Sequence, residues 1–219
     1  MSTAPPAVLG TAQQHATEAL RALIVRGDLR PGQRVNQEDL AAQLGLSVAP
    51  VREALRVLEH EGQLTYLPRR GYFVTELRFG DLQEIYALRA ILEERAARQA
   101  LPALDDEALE RIAEAARDCV EAAEAGDVAA ELAANRRFHF AILTAPGHPH
   151  VMRVIRLLWD STEAYRAMYY NSPAERHEAV AAHARILAAL RANDADRLVT
   201  ELDAHRARAL EVLGTILAA

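Results

Sequence analysis

The chain has no lysine, a single cysteine, few aromatic residues and no long apolar run, and each shortage excludes something. All 25 basic residues are arginine. The abundance of alanine beside them points to codon composition as the cause, although an all-arginine set also suits bidentate contacts to phosphate and guanine. A lone Cys119 rules out an internal disulfide framework and any CxxC metal spacing. No apolar run reaches the roughly 18 residues that a membrane-spanning helix needs. The opening MSTAPPAVLG lacks the charged start and apolar core of a signal peptide, so residues 1–10 are expected to be a disordered tail and the protein to be cytoplasmic. Aromatic content of 5% and only ten glycines argue for helices over a β-sandwich, and 51% apolar residues over 219 positions readily supply a core.

Charge and pattern both change near Arg78. Residues 1–78 hold nine arginines and eight acids, net +1, whereas residues 79–219 hold sixteen and 23, net −7, so the overall −6 comes from the second part. Before the change, residues 11–26 read as a helix with Leu20, Leu23 and Ile24 on one face, and Asn36 to Leu44 as a second helix that Gly45 terminates. Ser47 opens a third helix, with Val51, Leu55 and Leu58 at inward spacing. Leu64–Leu67 and Tyr72–Thr75 read as strands flanking the four-residue loop Pro68-Arg69-Arg70-Gly71. Helix, turn, helix and β-wing together are the parts of a winged helix-turn-helix, which places one helix in the DNA major groove.

After Arg78 there is no strand signal. Six helices are expected, at about 81–100, 105–125, 127–145, 149–170, 173–192 and 194–218, divided at Pro102, Gly126-Asp127, Pro146-Gly147-His148-Pro149, Ser172-Pro173 and Asn193-Asp194. Short connections between helices of this length favour an antiparallel bundle. The expected fold is therefore mainly α: a DNA-binding domain over 11–76 and an all-α six-helix ligand- and metal-binding domain over 79–219.

The third helix carries Arg52 and Arg56 one turn apart, where a guanidinium reaches guanine O6/N7 or two phosphate oxygens. The stretch PGQRVNQEDLAAQLGLSVAPVREALRVLEHEGQLTYLPRRGYFV resembles the amino-terminal domain of the GntR family of bacterial regulators. That resemblance implies a homodimer on a short palindrome in double-stranded DNA, with Arg52 on bases or phosphate and Arg69, Arg70 and Gly71 in the wing. The family commonly has Arg-Thr after the serine that starts the recognition helix. Here Ser47 is followed by Val48 and Ala49, so a base-reading arginine and a phosphate-contacting hydroxyl are both missing, while Val48 can still meet a thymine methyl.

In the second part, polar residues interrupt apolar seams. Val128, Leu132, Asn135, His139 and Ile142 follow each other at steps of four, three, four and three, which puts Asn135 and His139 one turn apart on an inward face. His183 shares a stripe with Val180, Leu187 and Leu190, and His205 with Leu198, Leu202, Ala209 and Val212. Three imidazoles and an amide oxygen directed inward from three helices favour a metal site, because leaving them unsatisfied costs about 1–3 kcal/mol each. His15, His60, His148, His150 and His177 carry no such pattern.

LRAILEERAARQA, NRRFH and the two later histidines are similar to the FCD ligand-binding domain of the FadR subfamily, in its six-helix VanR-like branch. The resemblance implies a divalent transition metal (zinc, nickel or manganese) held by Asn135, His139, His183 and His205. Relatives often have Asp where this chain has Asn135. A metal among one amide and three neutral imidazoles keeps its full +2 charge and attracts an anion to its open positions. Arg89 lies on the stripe Leu82, Ile85, Leu92 and Ala96, so it points inward and needs an anion, either Glu93 one turn on or a bound carboxylate. The resemblance favours the second, with Tyr165 and Trp159 as possible lining residues.

The expected function is transcriptional regulation, as a repressor responding to a small carboxylate, and not catalysis. A metal-dependent hydrolase fused to a DNA-binding module and a pure metal sensor are the alternatives. Asn135 cannot act as a general base for the first of these.

Overall fold

The computed structural model describes residues 11–144 and 148–218, so the expected tail over 1–10 and the break at Pro146-Gly147 lie outside the described residues. The chain divides into two compact units between Thr75 and Glu76.

The first unit opens with α1 (Ala12–Val25), closed at its start by a reciprocal Thr11/Gln14 capping box. Helix α2 (Gln37–Leu44) begins where Asn36 Oδ1 accepts the Glu38 amide at 3.0 Å, and stops at Gly45, whose φ of 64° is left-handed. Helix α3 (Val48–His60) buries Val51, Ala54, Leu55 and Leu58 and packs against α1 and α2. Full burial of a leucine there is worth about 1.5–3 kcal/mol. Its Ser47 cap residue makes no side-chain cap bond.

Three strands complete this unit among the described residues: β1 (Arg34–Val35), β2 (Leu64–Leu67) and β3 (Gly71–Val74), antiparallel in the order β1-β3-β2. Sequence pattern gave no hint of β1, because two residues carry no alternation; Arg34 and Val35 become a strand only through pairing with Phe73 and Tyr72. The wing loop is also shorter than expected. Gly71 pairs with Leu67 and belongs to β3, which leaves the three residues Pro68, Arg69 and Arg70 at the tip. Arg69 takes a φ of 65°, a backbone region that side-chain-bearing residues seldom enter.

The second unit is entirely helical among the described residues: α4 (Phe79–Ala100), a 3-10 turn at Leu101–Ala103, α5 (Asp106–Ala125), α6 (Val128–Leu143), α7 (Pro149–Asp160), α8 (Glu163–Tyr170), α9 (Pro173–Arg191) and α10 (Ala195–Ala218). Asp105 and Asp127 cap α5 and α6 by accepting the amides of Ala108 and Ala130 at 2.8 and 3.0 Å. Helix α5 packs on α6 and α9, α10 on α4 and α9, and α7 on α4. Phe138, Ile142, Ile155, Trp159, Ile186 and Leu198 meet in one apolar core. None of these helices is long and apolar enough to cross a membrane.

The expected single helix over 149–170 is two helices, so the bundle has seven among the described residues in place of six. The hydroxyls of Ser161 and Thr162 turn back to the Leu158 carbonyl, Thr162 Oγ1 also reaches the Trp159 carbonyl, and Arg166 Nη1 donates to that same carbonyl at 2.7 Å. Side chains thus take over acceptors that a continuous ladder would use, which is how a Ser-Thr pair breaks a helix. The spacing alone does not carry this, since serine and threonine also sit in helix interiors.

Candidate functional site

Two regions carry chemistry, one in each unit. In the first unit, Ser47, Ala49, Arg52 and Arg56 are exposed along α3, and Val48 is half-buried. Arg56 donates to Glu53 at 2.9 Å, whereas Arg52 makes no ion pair among the described residues. Arg69 and Arg70 are exposed at the wing tip, and the Arg70 guanidinium lies 5.2 Å from the Phe73 ring centre.

In the second unit α6, α9 and α10 bring His139, His183 and His205 together. Their nearest ring nitrogens lie within 4.8 Å of one another. An ion with bonds of about 2.0–2.2 Å spans at most roughly 4.4 Å between two ligands, so only a slight approach is required. His183 Nε2 and Asn135 Oδ1 are 3.1 Å apart, which suits a hydrogen bond or two ligands on one ion. His139 and His205 stack at 5.2 Å between centroids. Nδ1 of both His139 and His183 is buried without a hydrogen-bond partner.

Burial pushes the His139 and His183 imidazoles well below their ordinary pKa, and burial followed by the charges of Arg89 and Arg206 pushes His205 down to about 4. All three are therefore neutral near pH 7, with the lone pairs that a metal ligand needs. The donor set and the orphaned ring nitrogens fit a divalent transition metal.

Beside the cluster lies a cavity with about 30 Å³ of free space, walled by Arg89, Asn135, His139, Arg166, His205 and Arg206 and by the aromatic rings of Tyr86, Trp159, Tyr169 and Tyr170. That is room for about two waters. His183 belongs to the cluster without lining the cavity. Glu93, fully buried, sits at the hub of the basic groups: its carboxylate accepts from Arg89 Nε at 2.8 Å, Arg206 Nη1 at 2.6 Å and Trp159 Nε1 at 2.7 Å. Burial opposes its ionisation, yet the Arg89 and Arg206 guanidiniums hold it below the usual carboxylate range.

Arg89 thus has both features that sequence reading weighed against each other. Its Nε is paired with Glu93, while its Nη1 is buried without a hydrogen-bond partner. Trp159 lines the cavity as anticipated, but Tyr165 does not. The Tyr165 hydroxyl accepts the Leu77 amide at 2.6 Å and donates to the Leu77 carbonyl at 3.3 Å. The break at Thr162 resets the faces of α8, so Arg166, Tyr169 and Tyr170 take the positions that a continuous helix would have given to others. Arg206 was also missed, although Val199, Leu202, Arg206 and Leu213 form a buried stripe at helical spacing.

A second buried group stands apart from the cavity. Glu131 on α6 is 1% exposed, has no hydrogen-bond partner on either oxygen, and meets Arg176 only at 3.9 Å. Burial pushes its carboxyl up to about 7. Below the unfolded value near 4.5 both states hold the proton; between 4.5 and about 7 the folded protein keeps it and the unfolded chain does not. Stability therefore falls as pH rises through that window. Glu131→Gln should remove the fall and stabilise the protein by on the order of 1–3 kcal/mol above pH 8. Urea melts of both proteins at pH 5 and pH 8 check this; an equal difference at the two pH values would count against a protonated Glu131.

Comparison with known proteins adds family context. Residues 12–74 match the family described as bacterial regulatory proteins, gntR family, and residues 84–208 match the FCD domain. The chain is 34% identical over 170 residues to the HTH-type transcriptional regulator McbR of Escherichia coli strain K12, covering 77% of each chain. It is 33% identical over 171 residues to a probable D-xylose utilization operon transcriptional repressor of Paenarthrobacter nicotinovorans, covering 78% of this chain and 75% of that one. Among solved structures, Escherichia coli McbR/YncC superimposes with a TM-score of 0.81 at 29% identity, covering 94% and 98%. A GntR regulator from Rhodococcus sp. RHA1 shares the fold with a TM-score of 0.78 at 24% identity, covering 93% and 98%.

Proposed function

Because this chain belongs to the GntR family of transcriptional regulators and carries an FCD effector-binding domain, we propose that it is a homodimeric, cytoplasmic repressor whose operator affinity is set by a divalent metal and a small carboxylate. The metal is held by Asn135, His139, His183 and His205, and when bound it supplies coordination positions and positive charge for an anion. Arg89 holds the same anion through its unpartnered Nη1. The observation that carries this reading is the convergence of three neutral imidazoles and an amide oxygen beside a wall of buried guanidiniums.

Repression is supported by the relative named as a repressor. Dimerisation is supported by an apolar stripe on α4, where Leu88 is 44% and Ile91 67% exposed. Hydrolysis is disfavoured because Glu93, a buried carboxylate that acts electrostatically on His205, is tied up by three donors and held ionised. Fluorescence anisotropy of labelled operator tests the reading: metal alone should change affinity little, and metal with a carboxylate should change it roughly 5–150-fold. A full response to metal alone would mean that the ion is the effector.

On the DNA side, Arg52 is the group that reads bases. Arg52→Ala should weaken specific operator binding by about 1–3 kcal/mol per half-site, whereas Arg69→Ala or Arg70→Ala should lower binding evenly across sequences and flatten its salt dependence. Titrations at several salt concentrations on operator and scrambled duplexes separate the two; an Arg52 variant with unchanged specificity removes that residue from the interface.

A further inference from the structure

Only residues 75–78 separate the end of β3 from the start of α4, and this short stretch is held at several points. The Thr75 amide donates to the Gln63 carbonyl at 2.9 Å, within the first unit. Leu77, the second residue of the helical unit, is gripped through its main chain by one side chain of α8. Its amide donates to the Tyr165 hydroxyl at 2.6 Å, and that hydroxyl donates to the Leu77 carbonyl at 3.3 Å. Tyr165 is buried, so losing these bonds would leave polar groups poorly solvated. Phe79, the first residue of α4, is held by α10: a Cβ added at Gly214 would meet its ring at 2.8 Å. Glycine weakens a helix interior relative to alanine, and inside α10 it is what lets the ring come so close.

The two helices that grip this stretch are also walls of the cavity. Helix α8 contributes Arg166, Tyr169 and Tyr170 to it, and α10 contributes His205, Arg206 and Ala209. Packed helices shift as units, and coupling between sites is carried by such rigid elements. Tyr165 stands one turn from Tyr169 on a helix of eight residues, and Gly214 lies less than two turns beyond Ala209. Resting on the reading that operator affinity answers to this cavity, we infer that α8 and α10 pass the cavity's state to the DNA-binding unit through their grip on residues 77–79. Tyr165 and Gly214 are the positioning residues of that grip. The identity of the occupant does not enter, because anything that moves either helix alters the hold on Leu77 or Phe79. With Thr75 tied to the first unit and Leu77 to the second, Glu76 alone lies between the two attachments.

A double-mutant cycle on metal-free, full-length protein tests this, with operator affinity as the readout. Ala209→Leu pushes a larger side chain into a cavity with room for about two waters, and so stands in for an occupant. Alone it should change operator affinity about fivefold or more. In a Tyr165→Phe background, which keeps the ring and drops the hydroxyl, that change should shrink to less than about twofold, and Gly214→Ala should act likewise. Independent changes multiply to within about twofold, so an Ala209→Leu effect that survives in either background overturns the role given to that helix. An Ala209→Leu protein that folds and binds operator like wild type overturns the whole inference. Should that variant fail to fold, the smaller Ala209→Val takes its place in the same cycle. Amide exchange reads the grip itself: Leu77 should exchange faster in Tyr165→Phe than in wild type, while amides beyond the first turn of α4 stay unchanged. Equal exchange at Leu77 would remove Tyr165 from the route. The cycle uses neither metal nor carboxylate. If neither shifts wild-type operator affinity while the cycle behaves as expected, the effector reading fails and the route through residues 77–79 stands.

Discussion

Replacing His183 with alanine is expected to abolish binding of the divalent ion proposed above, and with it the thermal stabilisation such an ion would provide. The residue is 2% exposed, contributes one of three imidazoles whose nearest nitrogens lie within 4.8 Å of one another, and is the histidine bonded to Asn135. Its loss removes one ligand directly and frees the amide from its partner. An ion at a thousand times its dissociation constant stabilises the native state by about 4 kcal/mol. Wild type should therefore melt several degrees higher with zinc or nickel than after chelation, and the variant should show no such difference. The substitution also removes the packing of His183 against Phe138, whose ring centre lies 4.4 Å away. Chelated wild type is for that reason the proper reference for the chelated variant. Elemental analysis after dialysis supplies the second readout. Equal metal content in the two proteins, or equal metal-induced shifts in melting temperature, would return these histidines to a packing role.

Glu93→Gln should destabilise the helical unit by about 3–5 kcal/mol, because removing one partner leaves buried charge uncompensated. Glu93 is the only fully buried carboxylate that Arg89 and Arg206 contact among the described residues, and it also receives the Trp159 indole hydrogen. A neutral amide keeps the shape and some of the hydrogen bonding but loses the charge, so two buried guanidiniums are left without it. For a unit of this size the loss corresponds to a drop in Tm of roughly 10 °C. Differential scanning calorimetry of metal-free protein gives the number. A decrease below about 1 kcal/mol would mean that water already screens these arginines.

The parts of this architecture governed by local rules could be read from the sequence. Asn36 and Gly45 bound α2 through a side-chain cap and a left-handed stop, and both are visible as residue types at helix ends. Asn135, His139, His183 and His205 could be read for a different reason: a polar residue on an apolar stripe at helical spacing demands a partner, and four such demands on three helices meet at one point. What escaped reading depended on contacts between distant residues. Strand β1 exists through its pairing with β3, and Glu93 becomes a hub only once Arg206 arrives from α10 and Trp159 from α7. Arg166 was hidden by a break that hydroxyl-to-carbonyl bonds create, and the same break displaced Tyr165 from the cavity to Leu77.

The small free volume of the cavity also governs time. Ligands that meet an open surface associate at rates limited mainly by orientation, and rates fall when binding requires a conformational change. For the organic anion proposed above to bind where only about 30 Å³ is free, the cavity walls have to part. Apparent affinity would be reduced by the fraction of molecules so opened, and both entry and escape would wait on that opening. Operator occupancy would then lag behind a sudden rise in effector and persist after its fall, giving the bacterium a response averaged over the recent past in place of an instantaneous one.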